Sequence, residues 1–69
     1  MVKVIYRKGK KYLIIEGREF GVFSLYYHIL RTISNYKYLK ESGESDEERL
    51  LKIKYHIARL IKIYNDYYP

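Results

Sequence analysis

The chain has 69 residues, 48% of them hydrophobic, with ten tyrosines, no cysteine and a formal net charge of +6. A chain this short forms one domain and buries only about 60% of the surface its unfolded form exposes; with no disulfide to help, it needs dense apolar packing or self-association. The basic balance favours acidic partners such as nucleic acid, and the uncharged run from Phe20 to Leu30 is far short of the roughly 20 apolar residues of a membrane span.

At the N-terminus, Met1 to Tyr6 runs straight into the charged segment Arg7 to Lys11, so no cleavable leader and a cytoplasmic location are expected. The β-branched and aromatic runs 2–7 and 11–16 flank a turn centred on Lys8, Gly9 and Lys10, which predicts a hairpin with Gly9 supplying a positive φ. With a two-residue loop, Val2, Val4, Leu13 and Ile15 share one face while Ile5, Tyr12 and Ile14 share the other; a three-residue loop shifts the pairing by one. Both faces are partly apolar, so one packs on the helices and the other on something else. Glu16 and Gly17 allow a second tight turn, and residues 18–22 are read either as a short third strand or as a connection.

Ser24 is the expected N-cap of a first helix over 24–40, whose apolar face is Val22, Leu25, Tyr26, Ile29, Ile33 and Tyr36 and whose end is marked by Gly43. Ser45 and Glu48 form an S-x-x-E capping box for a second helix over 46–67, with the stripe Leu50, Ile53, Ile57, Leu60, Ile61 and Tyr64. The short loop makes the helices antiparallel. The fold class is therefore α+β: an N-terminal β-hairpin, or a three-stranded meander if 18–22 pairs, followed by an antiparallel helical hairpin.

Four cations, Arg7, Lys8, Lys10 and Lys11, crowd a turn whose backbone asks only for Gly9. They suit contact with a phosphate backbone, although lysines at a hairpin also protect sheet edges from aggregation. On the first helix, Tyr27, Arg31, Ser34 and Tyr38 lie opposite the apolar stripe, where aromatic rings have no core to fill; stacking on bases and covering by a partner protein are both open. Lys52, Tyr55, Arg59 and Lys62 make a basic outer face on the second helix, the ordinary solvated side of an amphipathic helix unless it extends the tip's footprint.

No cofactor or metal is expected. The acids Glu41, Glu44, Asp46, Glu47 and Glu48 gather in one loop, where capping and the helix dipole account for three of them. His28 and His56 are the residues suited to acid–base work near neutral pH, but no nucleophile, paired carboxylate or phosphate loop accompanies them, so the chain is not expected to be an enzyme. Arg49 and His56 have an R-x6-H spacing that resembles the HEPN nucleases, a larger helical bundle; a pattern this short is set aside. Strand, helix, then Gly43-Glu44-Ser45 before a second helix resembles the ribbon-helix-helix repressors. In those the second helix's N-terminus meets phosphate, which Asp46, Glu47 and Glu48 would repel, and no residue is carried over.

The reading is a small, basic, non-catalytic nucleic-acid-binding protein, DNA or RNA, expected to be a homodimer. Its contact set is Arg7, Lys8, Lys10, Lys11, Arg31, Lys52, Arg59 and Lys62, and its interface residues are Tyr12, Ile14, Tyr27 and Tyr38. The alternative is a homo-oligomeric interaction or adaptor module that uses the tyrosine-rich helical face. The Lys-, Glu- and Ile-rich composition, without glutamine, cysteine or tryptophan, is similar to that of hyperthermophile proteins.

Overall fold

Two turns of the same kind build the sheet. In the computed structural model, which describes residues 2–43 and 46–69, Lys8 and Gly9 have φ of 51° and 77°, and Glu16 and Gly17 have φ of 51° and 79°. Positive φ at both central residues is what a type I′ turn requires, and its twist matches that of the flanking strands. The first turn joins β1 (Val2–Arg7) to β2 (Lys10–Ile15), pairing Val2 with Ile15, Val4 with Leu13 and Arg7 with Lys10. This is the two-residue register, so β2 begins at Lys10 rather than residue 11. The second turn produces β3 (Arg18–Phe20), antiparallel to β2 with Phe20 opposite Leu13. The third strand therefore exists, and the sheet order is β1-β2-β3.

Helix α1 (Val22–Ser42) starts earlier than its expected Ser24 cap. The N-cap is Gly21, and Ser24 sits one turn inside, its Oγ accepting from the Gly21 N–H at 2.7 Å. A Cβ on residue 21 would lie 3.3 Å from the Tyr12 ring, a tight contact that a larger residue could make only if the ring gave way by a few tenths of an ångström. Gly43, at φ 70°, closes the helix as expected. Helix α2 (Glu47–Tyr67) is capped by Asp46, whose Oδ1 accepts from the Arg49 N–H at 2.7 Å. The expected cap, Ser45, lies outside the described residues; Asp46 holds that role, and Glu47 and Glu48 complement the helix dipole.

The core is Leu13, Ile15 and Phe20 from the sheet, Leu25 and Ile29 from α1, and Leu60 and Ile63 from α2. Leu13 and Leu25 are fully buried, each contributing about 1.5–3 kcal/mol of transfer free energy. One expected core position is replaced: Ile63 is 8% exposed while Ile61 is 40% exposed. The sheet docks to one side of the helical hairpin, rotating α2's buried arc towards Ile63, and the same rotation leaves Tyr26 half exposed. The sheet packs on the end of the hairpin that holds the N-terminus of α1 and the C-terminus of α2, with the β1–β2 turn beside Tyr67 and Tyr68, and the molecule is elongated, 45 × 20 × 20 Å.

Candidate nucleic-acid interface

The four cations of the β1–β2 turn divide into two kinds. Arg7 donates from Nη1 and Nη2 to the Glu19 carboxylate at 2.9 and 2.8 Å, and its guanidinium lies 6.0 Å from the centre of the Tyr12 ring. Lys11 turns to the other side of the sheet, where its Nζ donates to the Tyr67 carbonyl at 2.9 Å, and the Tyr68 hydroxyl donates back to the Lys11 carbonyl at 2.9 Å. A cation at the negative end of α2's dipole, over the Tyr68 ring, has a structural purpose. Burial pushes the Tyr68 hydroxyl's pKa up, with Tyr12 and Tyr64 adding to the effect, which keeps it a donor. Lys8 and Lys10 are exposed and have no such partner among the described residues.

Lys8 is also in the left-handed region, where a lysine costs roughly 1 kcal/mol against glycine or asparagine. Glu16 occupies the equivalent place in the second turn, and there the side chain is held: Arg59 donates to its carboxylate at 2.7 Å. On α2, Lys62 pairs with Asp66 at 3.1 Å and Lys52 with Glu48 at 3.7 Å. These exposed pairs are worth about 0–1 kcal/mol each, so a phosphate can displace the carboxylate, but the nearby acids weaken the field of that face.

Arg31 falls beside a residue that sequence reasoning left out. Arg18, Tyr27, His28 and Arg31 line a groove of about 220 Å³ between β3 and α1. Arg18 stacks 5.2 Å from the centre of the Phe20 ring; Glu19 also lines the groove but is paired with Arg7, and among the described residues no carboxylate pairs with Arg18 or Arg31. Arg18 is legible only once 18–22 is read as a strand, which sets it across from Ile15. His28 packs 5.1 Å from Phe20 and 6.4 Å, edge-on, from His56. Burial, then the charges of Arg18, His56 and Arg31, hold His28's pKa below the ordinary histidine value.

Tyr12 and Ile14 lie on the sheet face they share with Lys3, Ile5, Arg7 and Lys10, opposite the core, and both are half-buried, with the Tyr12 ring reaching the N-terminus of α1 at Gly21. Tyr27 and Tyr38 are 64% and 66% exposed, but only Tyr27 joins the Arg18–Arg31 groove. Among the described residues, no group of three or more His, Asp or Glu is placed to hold a metal ion. No protein-family model, curated protein or solved structure matches this chain.

Proposed function

We propose that this chain is a small, non-catalytic, cytoplasmic nucleic-acid-binding protein that meets phosphate through the β1–β2 turn. Lys8 carries the reading. It places an exposed cation, without a partner among the described residues, at the tip of the β1–β2 turn, in a backbone conformation that disfavours lysine. Lys10 supports it, Arg7 adds a charge that a phosphate can draw from Glu19, and the outer sheet face offers the Tyr12 ring beneath. Arg18 and Arg31 form a second cationic patch along the same molecule, whereas Lys11 serves the α2 terminus.

The test is fluorescence anisotropy with labelled duplex DNA, single-stranded DNA and RNA at about 50 and 200 mM salt, where each lost phosphate contact lowers the log–log slope by about 0.7–0.9. The wild type is expected to bind in the micromolar range or tighter, with affinity falling as salt rises. Lys8→Glu with Lys10→Glu is expected to reduce the slope by about two contacts. Binding with an unchanged slope in that variant, or no binding at low salt, overturns the reading.

A second reading, an interaction module docking through its tyrosine-rich helical face, is favoured by the exposure of Tyr27 and Tyr38. Loss of assembly on Tyr27→Glu and Tyr38→Glu, in a chain that binds no nucleic acid, selects it.

A further inference from the structure

The side of the helical hairpin turned away from the sheet carries an apolar patch that no other described element covers, bordered towards the α1–α2 loop by Lys37, Lys40, Glu41 and Lys54. Tyr26, Leu30, Ile33 and Lys37 follow one another at spacings of four, three and four along α1, and Lys54, Ile57 and Ile61 at three and four along α2. Ile33, Lys37, Lys54 and Ile57 line a shallow groove between the helices, and Tyr26 and Tyr64 meet at 6.0 Å at its sheet end. Tyr26 is 51% and Leu30 47% exposed, although both lie in an apolar row beside the core.

Area and charge together point to what covers this face. Each helix has 21 residues, and the molecule is 20 Å wide. The row from Tyr26 to Lys37 is about 17 Å long, so over that width the patch projects to about 330 Å², the scale of a modest, concentration-dependent contact rather than the ~800 Å² per partner of a standard interface. Charge is polarised along the same axis. Glu41, Asp46, Glu47 and Glu48 flank the α1–α2 loop, where Lys40 and Arg49 only partly offset them, and Arg7, Lys8 and Lys10 mark the opposite end. Two copies side by side in parallel set like charges against like. Turned antiparallel, they bring each acidic loop to the partner's basic end.

We propose that a second copy of this chain docks antiparallel on the Tyr26–Leu30–Ile33 and Ile57–Ile61 face, giving a twofold four-helix bundle with a sheet on each outer side. Twofold symmetry fits because one patch serves both copies. Lys37 and Lys54, at the loop-side end of the groove where the apolar patch stops, are exposed and keep their charged ends in solvent while their stems lie on apolar surface. This assembly stands independently of nucleic-acid binding, and its test contains no nucleic acid.

Sedimentation equilibrium of the full chain is expected to give twice the monomer mass at tens of micromolar and above, a range typical of modest interfaces. Leu30→Glu is expected to weaken the dimer at least about thirty-fold, as removal of a central anchor does, with Leu30→Ala weaker in the same direction. Tyr27→Glu, on the neighbouring face, leaves the mass unchanged, and circular dichroism reports helicity in every variant. Orientation is read from nitroxide labels on single cysteines, since the chain has none of its own. In the antiparallel dimer, Ser42→Cys labels lie about 30 Å apart along the axis, whereas Ser34→Cys labels near the dyad lie within about 20 Å. A monomer at about 1 mM, assembly that Tyr27→Glu breaks and Leu30→Glu spares, or short distances at both positions each overturns the proposal.

Discussion

Lys8 and Glu16 stand at the first position of two turns with the same backbone geometry, yet among the described residues Glu16 has a partner, Arg59, and Lys8 has none. Both accept left-handed backbone without being glycine, so each turn gives up stability that asparagine would restore. For Glu16 the ion pair to α2 offsets part of that cost; for Lys8 no partner among the described residues does. Lys8→Asn is therefore expected to raise unfolding free energy by up to about 1 kcal/mol in urea denaturation while weakening phosphate binding. A gain in stability with unchanged binding would remove Lys8 from the contact set.

At the scale of elements, α2 rests on a single well-formed cap. Asp46→Ala is expected to cost about 1 kcal/mol, read as a lower urea midpoint, because the Arg49 N–H loses its acceptor. The hairpin is legible in the sequence because alternation and a glycine turn act locally, and the helices are legible from their period, but the register stays open between a two- and a three-residue loop until the backbone of Lys8 and Gly9 fixes it. The start of α1 is not, since its N-cap is Gly21, beside a ring that β2 brings up from Tyr12. Nor is the exchange of Ile61 for Ile63, because periodicity gives the width of an apolar arc while the docked sheet decides its centre. The candidate site divides in the same way. Among the described residues, Lys8 and Lys10 are free where local charge density places them, but Glu19 and Tyr67, which engage Arg7 and Lys11, are 12 and 56 residues away in the chain. Arg18 is hidden from a sequence reading that leaves β3 open.

At the scale of the whole molecule, sheet and both helices meet at His28, which touches Phe20 and His56 and feels Arg18 and Arg31. Burial and these charges lower its folded pKa, so the unfolded chain takes up a proton first as pH falls. The stability that follows is complete above about 6.5, the ordinary histidine value, and is lost as pH drops from there towards the folded value. The thermal midpoint is expected to fall between about pH 7.5 and 5, and His28→Gln to flatten part of that fall. An identical pH profile in the variant would show that other groups set it.

The polar ties between the sheet and α2 with its C-cap, Glu16 with Arg59, Lys11 with Tyr67 and Tyr68 with Lys11, join positions 43, 56 and 57 apart in the chain. The β-meander and the helical hairpin each close through short loops, on microsecond timescales, whereas these ties carry the entropy of a long loop. The order of assembly follows: two halves gain their secondary structure early, and the slow step is their collision, when Leu13 and Ile15 find Leu25 and Leu60.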